Sequence, residues 1–274
     1  MLMIQKQTEL EDLALLDRLR NQIRRVETAG RMDDGVSVSS GCAAIDRLLP
    51  GSGYQRGTLI QWLTSGGQGA DYLSLLAARE ACRDGGALVV LDPLNQFYPP
   101  AAAAIGVNLD NLIVLRTDGL AGSQQAIQTD FLWSIDQSLR CPAVAAVWGA
   151  LDEINERWFR RFQLSAEASG CLGLFIQPIR AVRQPSWAEV QWMVSHMGEL
   201  DRVSRNRSEQ RVCLQLTRCR GTQTGKTVNL KINSVTGNVQ LARRDNEQYQ
   251  RSRKKDPLSV AFQLAHSAIG RQRA

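Results

Sequence analysis

The sequence predicts an α/β fold: a mostly parallel sheet flanked by helices, an antiparallel β extension, an N-terminal helix before this core and a basic tail after it. Three observations carry the prediction. Between residues 58 and 176, short continuous apolar runs alternate with stretches of helical periodicity, the pattern of βα units whose strands are buried on both faces. From residue 189 the strand-like runs are separated by turn-forming residues, and the last three alternate apolar with polar, as antiparallel strands with one wet face do. A Gly-rich turn, Thr64-Ser65-Gly66-Gly67-Gln68-Gly69-Ala70-Asp71, joins the first strong strand to the first strong helix, and the chain is organised around it.

Three units follow: residues 1–39 as an amphipathic helix and linker, 40–243 as the core, and 244–274 as a basic, flexible tail. Thr8-Glu9-Leu10-Glu11 is a capping-box signature. Behind it Leu16, Leu19, Ile23 and Val26 form one narrow apolar stripe on a helix from Glu9 to Glu27 whose other faces are charged. Such a stripe must lie against its own domain, a second copy or a partner. Residues 29–40 read as linker.

Thr58–Leu63 is the first core strand, and a helix from Asp71 to Arg83 stops at Gly85-Gly86. Ala87–Leu91 is a buried strand, and a short helix near Pro100–Ile105 leads to a strand at Leu112–Leu115. A longer helix fits Ser123–Leu139, and Ala143–Trp148 is another buried strand. Ile154–Ser169 is helical and Leu172–Ile176 closes the alternation. Glu189–Met197, Arg211–Thr217, Lys226–Ile232 and Asn238–Leu241 then form the extension.

With 43% hydrophobic residues over 274 positions, the chain can bury a sizeable core. It has no apolar run of the length, about 18 residues, that a membrane span requires. Met1–Gln7 lacks the apolar region of a secretory signal, so a cytoplasmic location, with access to the nucleoid, is expected. The six cysteines show no C-x-x-C pairing and there are only two histidines, which favours reduced thiols over a metal site. Charge is lopsided: residues 197–274 carry 16 Lys+Arg against 6 Asp+Glu, whereas residues 1–196 carry 17 against 21. A basic end fits an anionic partner, nucleic acid or an acidic protein surface, or else simply a solvated tail. The densest cluster is Arg243, Arg244, Arg251, Arg253, Lys254 and Lys255. Tyr249 is the one aromatic residue there, so base stacking has thin support.

A Gly-rich turn between strand and helix is where a nucleotide-binding fold cradles phosphates, and the pattern needed is G-x-x-x-x-G-K-[ST]. Here Thr64 takes the first Gly position, Gly69 the second, Ala70 the Lys position and Asp71 that of the Mg²⁺-binding hydroxyl. Gly66, Gly67 and Gly69 keep the loop's flexibility while the charge is gone. Such a loop can also be a tight turn kept for packing. Gly221-Thr222-Gln223-Thr224-Gly225-Lys226-Thr227 only imitates the motif: three residues separate its glycines and it joins two strand-like runs, so it reads as a hairpin turn.

Ser40 to Leu49, Gly51-Ser52-Gly53 and Gln55 to Ile60 together resemble the approach to the phosphate loop in RecA recombinases, and Asp92-Pro93-Leu94 with Ile105 to Leu112 is similar to the RecA segment after its second core strand. The block Asp92-Pro93 … Gln96-Phe97-Tyr98-Pro99-Pro100, with Leu216 to Gly221 and Thr236 to Val239, resembles the ImuA family, RecA-like accessory proteins of bacterial translesion mutagenesis. The resemblance spans residues 40–244 and implies a RecA-like core.

Carried residue by residue, that resemblance puts the phosphate-binding Lys on Ala70, the acid that ends the Walker B strand on Trp148 and Gly149, and the water-activating glutamate on Leu94. It therefore implies a non-catalytic adaptor with no cofactor and no metal. The implied partners are an ImuB-like homologue of Y-family polymerases and an error-prone replicative polymerase subunit, with DNA and self-association as further contacts, in SOS-induced mutagenic bypass. The alternative is a RecA-type, ATP-dependent DNA-binding ATPase with a divergent site. There a Lys or Arg of a neighbouring subunit would replace Ala70, and Asp71 or Asp92 would hold Mg²⁺. The loops after Trp148 and Ile176, which in RecA contact DNA, are short, leaving Arg180 and Arg183 as solvated or phosphate-touching side chains.

Overall fold

The computed structural model describes residues 37–66, 69–117, 123–152, 154–197, 209–233 and 237–242. The stripe Leu16, Leu19, Ile23 and Val26 and the cluster Arg243, Arg244, Arg251, Arg253, Lys254 and Lys255 lie outside the described residues, as does Gly67.

The described chain runs β1 (Ser37–Val38), α1 (Ala43–Asp46), β2 (Tyr54–Gln55), β3 (Leu59–Thr64), α2 (Ala70–Ala81), β4 (Ala87–Leu91), α3 (Pro99–Ala104) and β5 (Leu112–Leu115). It continues through α4 (Gln124–Arg140), β6 (Val144–Ala150), α5 (Glu156–Ser169), β7 (Leu172–Pro178), β8 (Val190–His196), β9 (Glu209–Cys219), β10 (Thr227–Asn233) and β11 (Asn238–Leu241). Nine strands form one sheet in the order β11-β10-β9-β8-β3-β7-β6-β4-β5. From β8 to β5 all neighbours are parallel. From β8 outward to β11 they are antiparallel. This is the predicted α/β class with its mostly parallel sheet and antiparallel extension.

Burial explains the two strand patterns. Every residue of β3 is buried, because helices and small elements cover both faces there. In β10 only Val228, Leu230 and Ile232 are buried, so the pattern alternates. One face of the sheet carries a core of Ile60, Trp62, Leu73, Leu76, Val90, Leu174, Trp192, Leu214 and Leu230, with α2 packed on it. The other carries Leu59, Val89, Ile135, Val147, Phe159, Phe162 and Phe175, beneath α4 and α5. Local signals place these helices. Ser123 Oγ accepts from Ala126 N and Asn155 Oδ1 from Trp158 N, so each caps a helix start. Gly170, at φ +79°, ends α5 and donates to the Ala166 carbonyl.

Two departures from the sequence expectations have clear causes. The stretch that reads as linker, residues 29–40, ends in structure: Ser37 and Val38 pair antiparallel with Gln55 and Tyr54. Gly53 permits this approach, since a Cβ there would stand 2.6 Å from the Val38 carbonyl oxygen. The sequence groups Glu189–Met197 with the extension, but its strand, β8, pairs in parallel with β3 and is antiparallel only to β9. It is therefore the hinge strand between the two halves of the sheet.

Candidate functional site

The C-terminal ends of β3, β4, β6 and β7 lie side by side, the place where open α/β sheets bind ligands. The Gly-rich loop leaves β3 there and enters α2 through Gly69, whose φ of +82° only glycine adopts freely. A Cβ on Gly69 would meet Ile232 Cδ1 at 2.9 Å and Val212 Cγ1 at 3.2 Å. The antiparallel extension thus closes over the start of α2. Tyr72, in the first turn of α2, strengthens the closure by donating its hydroxyl to the Gly237 carbonyl at 2.7 Å.

Several groups at the positions of the phosphate-loop motif are engaged within the protein. Gly66 N donates to Thr64 Oγ1 at 3.1 Å, so one loop N–H is satisfied within the loop. Ala70, at the position of the phosphate-binding Lys, is 1% exposed and belongs to the apolar core on the α2 face. Asp71, in place of the Mg²⁺-binding hydroxyl, has its carboxyl raised above the ordinary range by desolvation, which disfavours the charge a metal needs. Trp148, at the Walker B position, turns its indole toward α2 and donates Nε1–H to Ser74 Oγ at 2.8 Å. Ser74, fully buried, donates its own hydroxyl to the Ala70 carbonyl at 2.7 Å. Phe97 packs on the Trp148 ring at 5.8 Å between centroids. Gly149 admits no side chain: a Cβ would lie 2.5 Å from Leu91 Cβ and 2.7 Å from the Leu91 carbonyl oxygen.

The two remaining positions diverge. Leu94, where the water-activating glutamate would fall, points outward and is 72% exposed. Asp92 is buried, but both its oxygens are engaged: Oδ1 accepts from Gln96 N at 2.6 Å and Oδ2 from Arg116 Nε at 3.2 Å. For Asp92 to hold Mg²⁺ the ion would have to displace that guanidinium. Among the described residues no group of three or more His, Cys, Asp or Glu is placed to hold a metal. None of the six cysteines is in a disulfide, and burial pushes the Cys171 thiol up to about 12 and that of Cys82 to about 11. No helix of the described residues is long and apolar enough to cross a membrane.

Beside the loop a buried polar row crosses the sheet, which the sequence patterns did not single out. Gln61 of β3 bonds Gln177 of β7, accepts from Gln191 Nε2 of β8 at 2.7 Å and from Ser186 Oγ at 2.8 Å. Gln177 Nε2 goes on to the Asp152 carbonyl at 3.0 Å, tying β7 to the loop after β6. Single glutamines in otherwise apolar strands Leu59–Thr64 and Leu172–Pro178 were the available signal. Arg180 pairs with Asp152 at 3.0 Å on the surface, and Arg183 is exposed. The imitation motif is a hairpin turn between β9 and β10, with Gly225 N bonded to the Leu216 carbonyl at 2.7 Å.

Comparison with known proteins agrees with this architecture. The chain is 38% identical to Protein RecA of Limosilactobacillus reuteri over 82 residues, 30% of this chain and 23% of that protein. It is 35% identical to Protein RecA of Latilactobacillus sakei over 89 residues, 32% of this chain and 25% of that protein. Against Protein RecA of Streptococcus mutans it is 33% identical over 81 residues, 30% of this chain and 21% of that protein. The matched stretch thus takes in about a quarter of those proteins' own length. No family model matches the chain. The likeness is to the RecA-like superfamily, over part of the chain, and the fold is a RecA-like core.

Proposed function

We propose that this protein is a non-catalytic RecA-like adaptor acting in SOS-induced, error-prone translesion DNA synthesis, as the ImuA resemblance implies. In this reading the RecA-like core is a rigid platform. The apolar stripe Leu16–Val26 and the basic segment from Arg243 to Lys255 engage an ImuB-like polymerase homologue, an error-prone replicative polymerase subunit and DNA. The observation that carries the reading is the Trp148–Ser74 hydrogen bond: a neutral indole fills the place of the Walker B acid while Ala70 leaves the cradle without its cation. Phosphoryl transfer depends on positioned positive charge, and both residues remove the means of supplying it.

A thermal-shift titration with ATP and Mg²⁺ tests the nucleotide half of the proposal. A ligand present at a hundred times its dissociation constant would add about 2.7 kcal/mol of stability. No shift is expected, and no ATP turnover with or without single-stranded DNA. Turnover stimulated by single-stranded DNA and abolished by substitutions around Gly69 would establish the divergent ATPase instead. Co-purification with the polymerase partners, with and without residues 243–274, tests the adaptor half; loss of capture on removing the tail is expected.

A further inference from the structure

We infer that the buried glutamine row couples the loop after β6, the segment that leads into β8 and the irregular turn of β9 at Thr217, so that the three act as one cooperative unit. The row is longer than its three amides. Thr217 donates its hydroxyl to Gln191 Oε1 at 2.9 Å, and Gln191 Nε2 donates to Gln61 Oε1 at 2.7 Å. Gln61 Nε2 donates to Gln177 Oε1, and Gln177 Nε2 donates to the Asp152 carbonyl at 3.0 Å. The row thus crosses β9, β8, β3 and β7, consecutive strands of the sheet, a span of about 14 Å at the ordinary strand spacing. None of the three glutamines is more than 6% exposed, so bulk water is not at hand to replace a lost partner.

One backbone group sets the sense of the whole row. The Asp152 carbonyl can only accept, so Gln177 must present its NH2 there and its oxygen to Gln61. Gln61 must then present NH2 to Gln177 and oxygen to Gln191, and Gln191 its NH2 to Gln61 and its oxygen to Thr217. Turning over Gln61 or Gln177 alone would set NH2 against NH2 on one side and oxygen against oxygen on the other. A buried polar group left unmade costs more than a net hydrogen bond contributes. The amides therefore keep their sense together or lose it together, and dipoles aligned in one sense strengthen one another.

The row is fastened to both segments that flank it. Ser186 Oγ donates to Gln61 Oε1 at 2.8 Å and accepts from Ala188 N at 3.1 Å, while the Ser186 carbonyl accepts from Arg218. At the other end Leu151 N donates to the Ile176 carbonyl at 2.9 Å, next to the Asp152 carbonyl that anchors the row. The two segments wall one open cleft of about 440 Å³, with Asn155 on one side and Gln184 and Pro185 on the other. Two side chains, Gln177 and Gln61, therefore link the Asp152 carbonyl to Ser186, and the walls of the cleft are set together. No member of the row lies in the Gly-rich loop, so the coupling holds whether or not the nucleotide reading does.

The test is a double-mutant cycle on the full-length chain, with Gln177→Met and Thr217→Val, read from urea midpoints and from hydrogen exchange. Side chains three strands apart that share no partner give additive effects. Here Thr217→Val should lower the midpoint in the wild-type background, and lower it much less once Gln177→Met has broken the row. Thr217→Ser keeps the hydroxyl and should match wild type. Tyr72→Phe, whose bond to Gly237 lies outside the row, should add fully to Gln177→Met. Gln177→Met should also speed exchange of the Ala188 amide roughly fivefold beyond what lost global stability accounts for, the factor for one net hydrogen bond. Thr217→Val, approached from the other end, should speed the Leu151 amide about twofold or more beyond that same loss, and it decides alone if Gln177→Met does not fold. Additive midpoints overturn the inference, as do Ala188 and Leu151 amides that exchange no faster than global stability accounts for.

Discussion

Trp148 Nε1 donates to Ser74 Oγ at 2.8 Å, joining the end of β6 to the helix that follows the Gly-rich loop. Trp148→Phe removes the donor and keeps much of the contact with Phe97. Ser74 still donates to the Ala70 carbonyl, so its hydroxyl is not orphaned. A loss of about 1–2 kcal/mol is expected, one net hydrogen bond plus a little packing, read from urea unfolding. A wild-type midpoint in Trp148→Phe would show that the indole fills the site without fastening it.

The loop glycines separate conformational strain from crowding. At Gly66, with φ +104°, an added Cβ would meet nothing within 4 Å, whereas at Gly69, with φ +82°, it would meet Ile232 at 2.9 Å. Both alanine variants bear the left-handed backbone cost, about 1–2 kcal/mol. Gly69→Ala adds the displacement of Ile232 and Val212, roughly 1–3 kcal/mol more by analogy with overpacked cores. Thermal melts should therefore rank wild type above Gly66→Ala, and Gly66→Ala above Gly69→Ala. An inverted order would deny that the extension presses on the loop.

Asp136 gives a pH-dependent fastening of α4 to α5. Burial alone would raise its carboxyl, but hydrogen bonds from Arg161 at 2.7 Å and Ser165 at 2.6 Å, with Arg140 nearby, outweigh it and hold the group below the ordinary range. A depressed carboxyl stabilises the fold above its unfolded value, about 3.9, and loses that contribution as pH falls through the folded value. Asp136→Asn removes the anion that two half-exposed guanidinium groups and the Ser165 hydroxyl bind, so the variant should be less stable than wild type at neutral pH. The gap between variant and wild type should close in acid. A gap that stayed constant from neutral pH to acid would show that charge is not what holds the two helices.

What can be read from the sequence follows from how local each signal is. Val89-Val90-Leu91 and Leu172 to Ile176 announce buried strands because they are continuous apolar runs, and the sheet holds both inside its edges. Ser37–Val38 reads as linker because two residues are too few to show a period, and their partner, Tyr54–Gln55, is equally short. The substitutions at positions 70, 94 and 148 are legible as identities. Their consequences are not, since the Ser74 acceptor for Trp148 and the Ile232 that crowds Gly69 come from distant segments brought together only by folding. The buried glutamine row is hidden for a related reason: each glutamine lies alone in its own strand, and the network exists only across the sheet.

The Tyr72–Gly237 bond has a mechanical corollary. Gly237 sits at the tip of the last hairpin, and the chain leaves the described fold from Ala242, just beyond the strand that hairpin supports. Tension applied downstream of Ala242 falls first on the β10–β11 ladder, at Ala242–Asn229 and Leu241–Leu230, and reaches the first turn of α2 only once the hairpin has opened to its tip. A molecule gripped by its C-terminal end would thus shed β11 before the Gly-rich loop bore any load.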